Sequence, residues 1–185
     1  MRLSRLLIAV AVFTAVAIPA YALAQVEGTP VPAAAKPNFS SLNFMVGTWT
    51  CHTKSARRPA AYVTVSTYTL DPSGYWINET STTSPNSWIP ARLVVADKIT
   101  YDSDAKRWVD VSSGDQGAYG LSFAKGWTGN QIVWHDVSFA PSPDISSQTN
   151  ITTTKVSDSK IVSASSFTEA KTGRHVSVVS TCTKS

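Results

Sequence analysis

Few side chains in this 185-residue chain are equipped for chemistry, and their spacing narrows the possibilities further. There are three histidines, His52, His135 and His175, and two cysteines, Cys51 and Cys182. The histidines stand far apart, with no His-x-His or HExxH spacing, so no metal site is expected. No GxSxG elbow, P-loop or GxGxxG is present. Among the carboxylates Glu79 stands out. It alternates with Tyr75 and Ile77, so one face of a strand would carry all three inward. A buried carboxyl of that kind holds its proton to higher pH and can act as an acid or base. The alternative is that Trp76 points inward and Glu79 is solvated. His135 shares its parity with Val133, Val137 and Phe139, which would aim it into the core or cavity; Trp134 on the other parity argues for a surface histidine. Catalysis, if any, would fall to Glu79 or His135, and ligand contact to His135, Phe139 and Tyr75. No cofactor is expected.

These residues need a scaffold, and the composition points to strands. Ser and Thr number 46 and the charged fraction is only 15%. β-Branched and small polar residues at that level favour sheet over helix. From residue 47 onward, apolar-rich runs of about 7–11 residues alternate with Gly, Pro, Asp and Ser clusters that turn the chain. Ten strands are expected: 47–54, 60–70, 75–83, 91–101, 106–113, 117–124, 131–139, 146–156, 160–168 and 174–183. No segment after residue 45 reads as an amphipathic helix. One helical turn is expected before the first strand, from Phe39, Leu42 and Met45 at a spacing of three, with Ser40 or Ser41 as its cap.

Residues 1–24 read as a signal peptide. Arg2 and Arg5 precede an apolar stretch from Leu6 to Ile18, and Ala22-Leu23-Ala24 supplies a small-x-small cleavage site. The apolar run is short for a membrane span. Residues 25–37 hold three prolines among small residues and read as a flexible leader, leaving 38–185 as the folded domain. The expected product is secreted or periplasmic. Loss of the two arginines lowers the net charge from +4 to +2, too little to suggest a nucleic-acid partner.

Export permits a disulfide between Cys51 and Cys182. Ten short-looped antiparallel strands either stack as a sandwich or close as an up-and-down barrel. In a barrel of even strand number the first and last strands can pair, and the two cysteines lie on those strands. A disulfide there would clamp the seam, which favours the barrel.

The segment Leu42-Asn43-Phe44-Met45-Val46-Gly47-Thr48-Trp49 resembles the opening of calycin-type barrels, the lipocalin-like and nitrobindin-like proteins, among them several bacterial lipocalin-like families. In that group a short 3₁₀ turn leads into a first strand with Gly-x-Trp. Residues 101–108 and 126–130 are similar to hairpins of the bacterial families. The resemblance implies that Gly47 lets the turn pack closely and that Trp49 plugs one barrel end. It implies an exported barrel that binds a small apolar or amphipathic molecule. Rival readings are an isomerase- or cyclase-type enzyme using Glu79 or His135, a haem-binding nitrobindin-like barrel with His175 as ligand, and a filled structural barrel. Cys51 and Thr53 stand where the nitrobindin pattern has glycines.

Overall fold

The computed structural model describes residues 34–56, 58–86, 90–140, 145–148, 150–169 and 172–185. The expected signal peptide and most of the expected leader lie outside the described residues. Among the described residues twelve strands follow one 3₁₀ turn, Asn43–Met45: β1 (Gly47–Ser55), β2 (Arg58–Leu70), β3 (Ile77–Thr83), β4 (Leu93–Asp102), β5 (Arg107–Gly114), β6 (Tyr119–Ala124), β7 (Trp127–Thr128), β8 (Gln131–Ala140), β9 (Ile145–Gln148), β10 (Ile151–Ser157), β11 (Lys160–Glu169) and β12 (His175–Lys184). Every pairing is antiparallel. The order runs β1 to β6, then β8, β10, β11 and β12, and β12 returns to β1. Ten strands therefore close an up-and-down barrel, and closure leaves that ring without a free edge. The two-residue β7 extends β8, and β9 pairs with β11.

Several expected boundaries move by one or two residues, and two of the changes bear on the candidate residues or the strand count. The run 146–156 divides into β9 and β10, and β3 begins at Ile77, leaving Tyr75 and Trp76 in the preceding turn. The 3₁₀ turn has no side-chain cap at its own start. The turn leading into it is held instead by Asn38 Oδ1, which accepts the Ser40 N–H at 3.0 Å, and by the Phe39 carbonyl, which accepts the N–H of Leu42 and of Asn43. In the β4–β5 hairpin, Asp102 Oδ1 accepts two backbone N–H groups, of Asp104 and Ala105, an Asx-type turn.

Register decides which residues enter the barrel. Cys51 pairs with Cys182 across the β1–β12 seam, and Trp49 with Lys184. The disulfide is formed, with the two Cα atoms 3.9 Å apart, so the chain is stapled where its first and last strands meet. Trp49 is fully buried, packs with Cys51, Ile161 and Cys182, and donates from Nε1 to the Met45 carbonyl at 2.7 Å. Phe44 meets its ring edge-on. The turn is thus pinned across one end of the barrel. Gly47 makes this possible: its φ is +126°, and a Cβ there would lie 2.7 Å from Lys184 Cε. The Lys184 ammonium in turn donates to the Phe44 carbonyl at 2.8 Å. A second apolar cluster continues the plug, with Leu42 and Ile77 fully buried and Ile99, Trp108, Ile132 and Trp134 around them.

Candidate functional site: a cavity above the plug

Beyond this apolar layer the interior turns polar. Ile77 enters the plug layer, and alternation then carries Glu79, Ser81 and Thr83 inward along β3. Glu79 is in register with Tyr68 on β2 and with Asp97 on β4. Asp110 on β5 stands opposite Ile99, two residues along β4 from Asp97. Four neighbouring strands therefore bring three carboxyls and a phenol to one stretch of wall. The remaining wall is tied by hydroxyl pairs: Thr53 with Ser180 at 2.9 Å, Thr64 with Thr83 at 2.7 Å and Thr153 with Ser163 at 2.9 Å.

A cavity of about 100 Å³ lies between the plug and this polar layer. Leu42, Phe44, Met45, Trp127, Ile132 and Trp134 supply apolar surface; Tyr68, Glu79, Asp110, Thr153 and Ser163 supply polar groups. Among the described residues no Lys, Arg or His lines it. The Nε1 atom of Trp127 is buried without a hydrogen-bond partner among the described residues.

The electrostatics follow from that enclosure. Burial raises the Glu79 carboxyl above the usual carboxylate range, although hydrogen bonds with Tyr68 and Ser66 pull the other way. Asp97 is pushed up to about 8, first by burial and then by the charges of Glu79 and Asp110. Tyr68 is raised well above an ordinary tyrosine, by burial and then by Glu79. A proton is thus held inside this wall near neutral pH. Asp71, on the surface, shows the opposite effect: hydrogen bonds from Ser73 and then Asn78 lower it to about 2.

The other candidate residues fall elsewhere. His135 is exposed on the outer face, its Nδ1 2.8 Å from Asn150 Oδ1. The inward parity of β8 belongs to Ile132 and Trp134, both buried; the larger apolar side chain takes the interior and its neighbour is turned out. Tyr75 does not reach the cavity. Its hydroxyl donates to the Ala34 carbonyl at 2.9 Å, and Lys36 Nζ sits 5.7 Å from its ring centroid, so it fastens the entering chain to the barrel. The side chain of Phe139 lies outside the described residues. His175 is exposed at the start of β12 and lines no part of the cavity, so the residues present do not fit a haem held by it. Among the described residues no group of three or more His, Cys, Asp or Glu side chains could hold a metal ion. Tyr68, Asp97 and Asp110 were missed in the sequence. Their signal was faint: polar residues at inward parity on three separate strands, visible only once register is known.

Among the described residues no helix is long and apolar enough to cross a membrane. No protein-family model matches this chain, and no curated protein does. Among solved structures, "Structure of EF1p2_mFAP2b bound to DFHBI" matches over 78% of this chain and 97% of its own, at 10% identity and a TM-score of 0.40. At that distance the likeness speaks to neither family nor ligand.

Proposed function

We propose that this protein is an exported lipocalin-like barrel that binds a small amphipathic molecule in the cavity above its plug. The observation that carries the reading is the cavity itself, with aromatic and aliphatic surface on one side and Tyr68, Glu79 and Asp110 on the other. Such a division matches how small-molecule sites are built, with mostly apolar walls and a few convergent polar groups that fix orientation. About 100 Å³ is below the usual range for drug-sized ligands, so the ligand is a compact one of a few heavy atoms. The seam disulfide supports an oxidising compartment, and the up-and-down strand order with its Gly47-x-Trp49 plug supports the lipocalin-like family. A second reading, an acid–base enzyme, draws support from Glu79, whose raised carboxyl borders the cavity.

Native mass spectrometry of the protein purified from its own host tests the binding reading. A retained small ligand, lost on unfolding, is the expected result. A bare chain mass, together with a cavity that binds none of a panel of compact apolar and amphipathic molecules, would leave the filled-barrel reading standing instead.

A further inference from the structure

Charge and size together say more about the ligand. The cavity borders the carboxyls of Glu79 on β3 and Asp110 on β5, and Asp97 stands on β4, the strand between them. Tyr68 is the titratable group facing them from β2. Among the described residues, the facing walls on β8, β10 and β11 line the cavity with Trp134, Thr153 and Ser163, and the plug lines it with apolar side chains, so the lining there is uncharged. The nearest lysines of the plug end are engaged elsewhere. Lys155 Nζ lies 2.7 Å from Asp158 and over the Phe44 ring, and Lys184 Nζ donates to the Phe44 carbonyl. The same cavity is walled by the rings of Trp127 and Trp134, whose π faces attract cations, while the Phe44 ring already carries the Lys155 ammonium 4.3 Å from its centroid. Independently of the carboxyls, Trp127 Nε1 is buried and lacks an acceptor among the described residues, which a ligand oxygen would satisfy.

Resting on the binding function proposed above, we infer that the ligand is a small organic ammonium compound carrying a hydroxyl or ether oxygen, with its cationic end toward Glu79 and Asp110 and its oxygen toward Trp127. An anionic ligand such as a fatty acid is excluded by the same wall. It would meet carboxyls while the nearest ammonium groups, of Lys155 and Lys184, are held at the plug end by Asp158 and the Phe44 carbonyl, and either repulsion or forced protonation would oppose entry. An ammonium group does the reverse: it favours the ionised wall, so binding expels a proton from it and strengthens as pH rises.

Three compounds of one shape separate the possibilities: choline, its uncharged carbon analogue 3,3-dimethyl-1-butanol, and the anion 3,3-dimethylbutanoate. Each is titrated calorimetrically against the oxidised protein at constant ionic strength. Choline is expected to bind at least about tenfold more tightly than the alcohol, a difference of about 1.4 kcal/mol. The butanoate is expected not to bind. The affinity for choline should increase from pH 6 to 8.5 with proton release, while that for the alcohol stays level. Glu79→Gln and Asp110→Asn should each weaken choline binding by about tenfold or more and leave the alcohol unaffected. Should either variant fail to fold, the pH series on the unaltered protein decides the matter. Equal binding of choline and the alcohol, or preference for the butanoate, would overturn the ammonium assignment and leave the cavity as a binding site. Silence toward all three would overturn both.

Discussion

Two inward-facing side chains set the stability of this barrel, the buried Trp49 and the half-buried Asp97. Trp49 has no exposed surface and spans the turn, the first strand and the seam. Trp49→Ala should cost about 3–5 kcal/mol, the range for deleting a large core aromatic, with its hydrogen bond to Met45 lost as well; chemical denaturation measures this. Asp97 produces a pH dependence of defined sign. Its carboxyl titrates near 3.8 when unfolded and about 8 when folded. Well below pH 3.8 both states hold the proton and stability is full. Between those values the unfolded chain releases a proton that the folded barrel keeps, so stability falls as pH rises, by up to about 1.4 kcal/mol per pH unit for each such proton. Asp97→Asn should flatten that slope and make the protein more stable than the parent above pH 8. Denaturant midpoints across pH 4–9 test it, and parallel curves for the two proteins would show that Asp97 does not hold this proton. His135 offers a contrast. It is exposed, and His135→Ala should stay within about 0.5 kcal/mol of the parent.

Among the elements, the passage from the 3₁₀ turn into β1 is the most constrained. Gly47 adopts a φ of +126° that L side chains rarely take, and Lys184 occupies the space a Cβ would need. Gly47→Ala combines backbone strain with displacement of a lysine that holds the Phe44 carbonyl. A loss of about 1–3 kcal/mol is expected from the strain alone. A thermal melt unchanged by this substitution would mean that the turn does not depend on the glycine. The carboxyl wall depends on register in the same way. Glu79 faces the cavity because β3 pairs Tyr68 with Glu79 and Glu79 with Asp97; a one-residue slip of β3 would turn Glu79 out to solvent and leave Tyr68 and Asp97 without it.

For the whole molecule, closure is the organising fact. The disulfide joins residues 131 apart in sequence on strands that are hydrogen-bonded neighbours. It therefore restricts the unfolded chain across nearly the entire domain. Replacing both cysteines by alanine should cost about 2–5 kcal/mol. Without the staple the seam is the place where the ring can open, since β1 and β12 are the two ends of the meander. Hydrogen exchange should quicken first in Gly47–Ser55 and His175–Lys184 on reduction. Uniform quickening over all ten barrel strands would show that the seam has no special weakness.

The strand-rich composition, the turns, the ten barrel strands and the seam position of both cysteines are legible from the residues alone. These are local or end-to-end properties. β-Branched runs, Asp and Gly turns and the place of Cys51 and Cys182 are readable without knowing which strand lies beside which. Gly47-x-Trp49 belongs to the same class, because its fixed spacing after a short turn is local. Which face of each strand looks inward was decided only by the tertiary structure. Alternation is a weak guide here, since Ser and Thr occupy both faces of most strands and blur the contrast between apolar and polar parity. On β8 the sequence favoured Val133, His135 and Phe139, yet Ile132 and Trp134 are the residues buried. On β3 it left Glu79 undecided between cavity and solvent. The gathering of Tyr68, Glu79, Asp97 and Asp110 needed the registers of four strands at once. No single strand carries that information, because each contributes one polar residue, and the pairing of backbones is what sets them side by side.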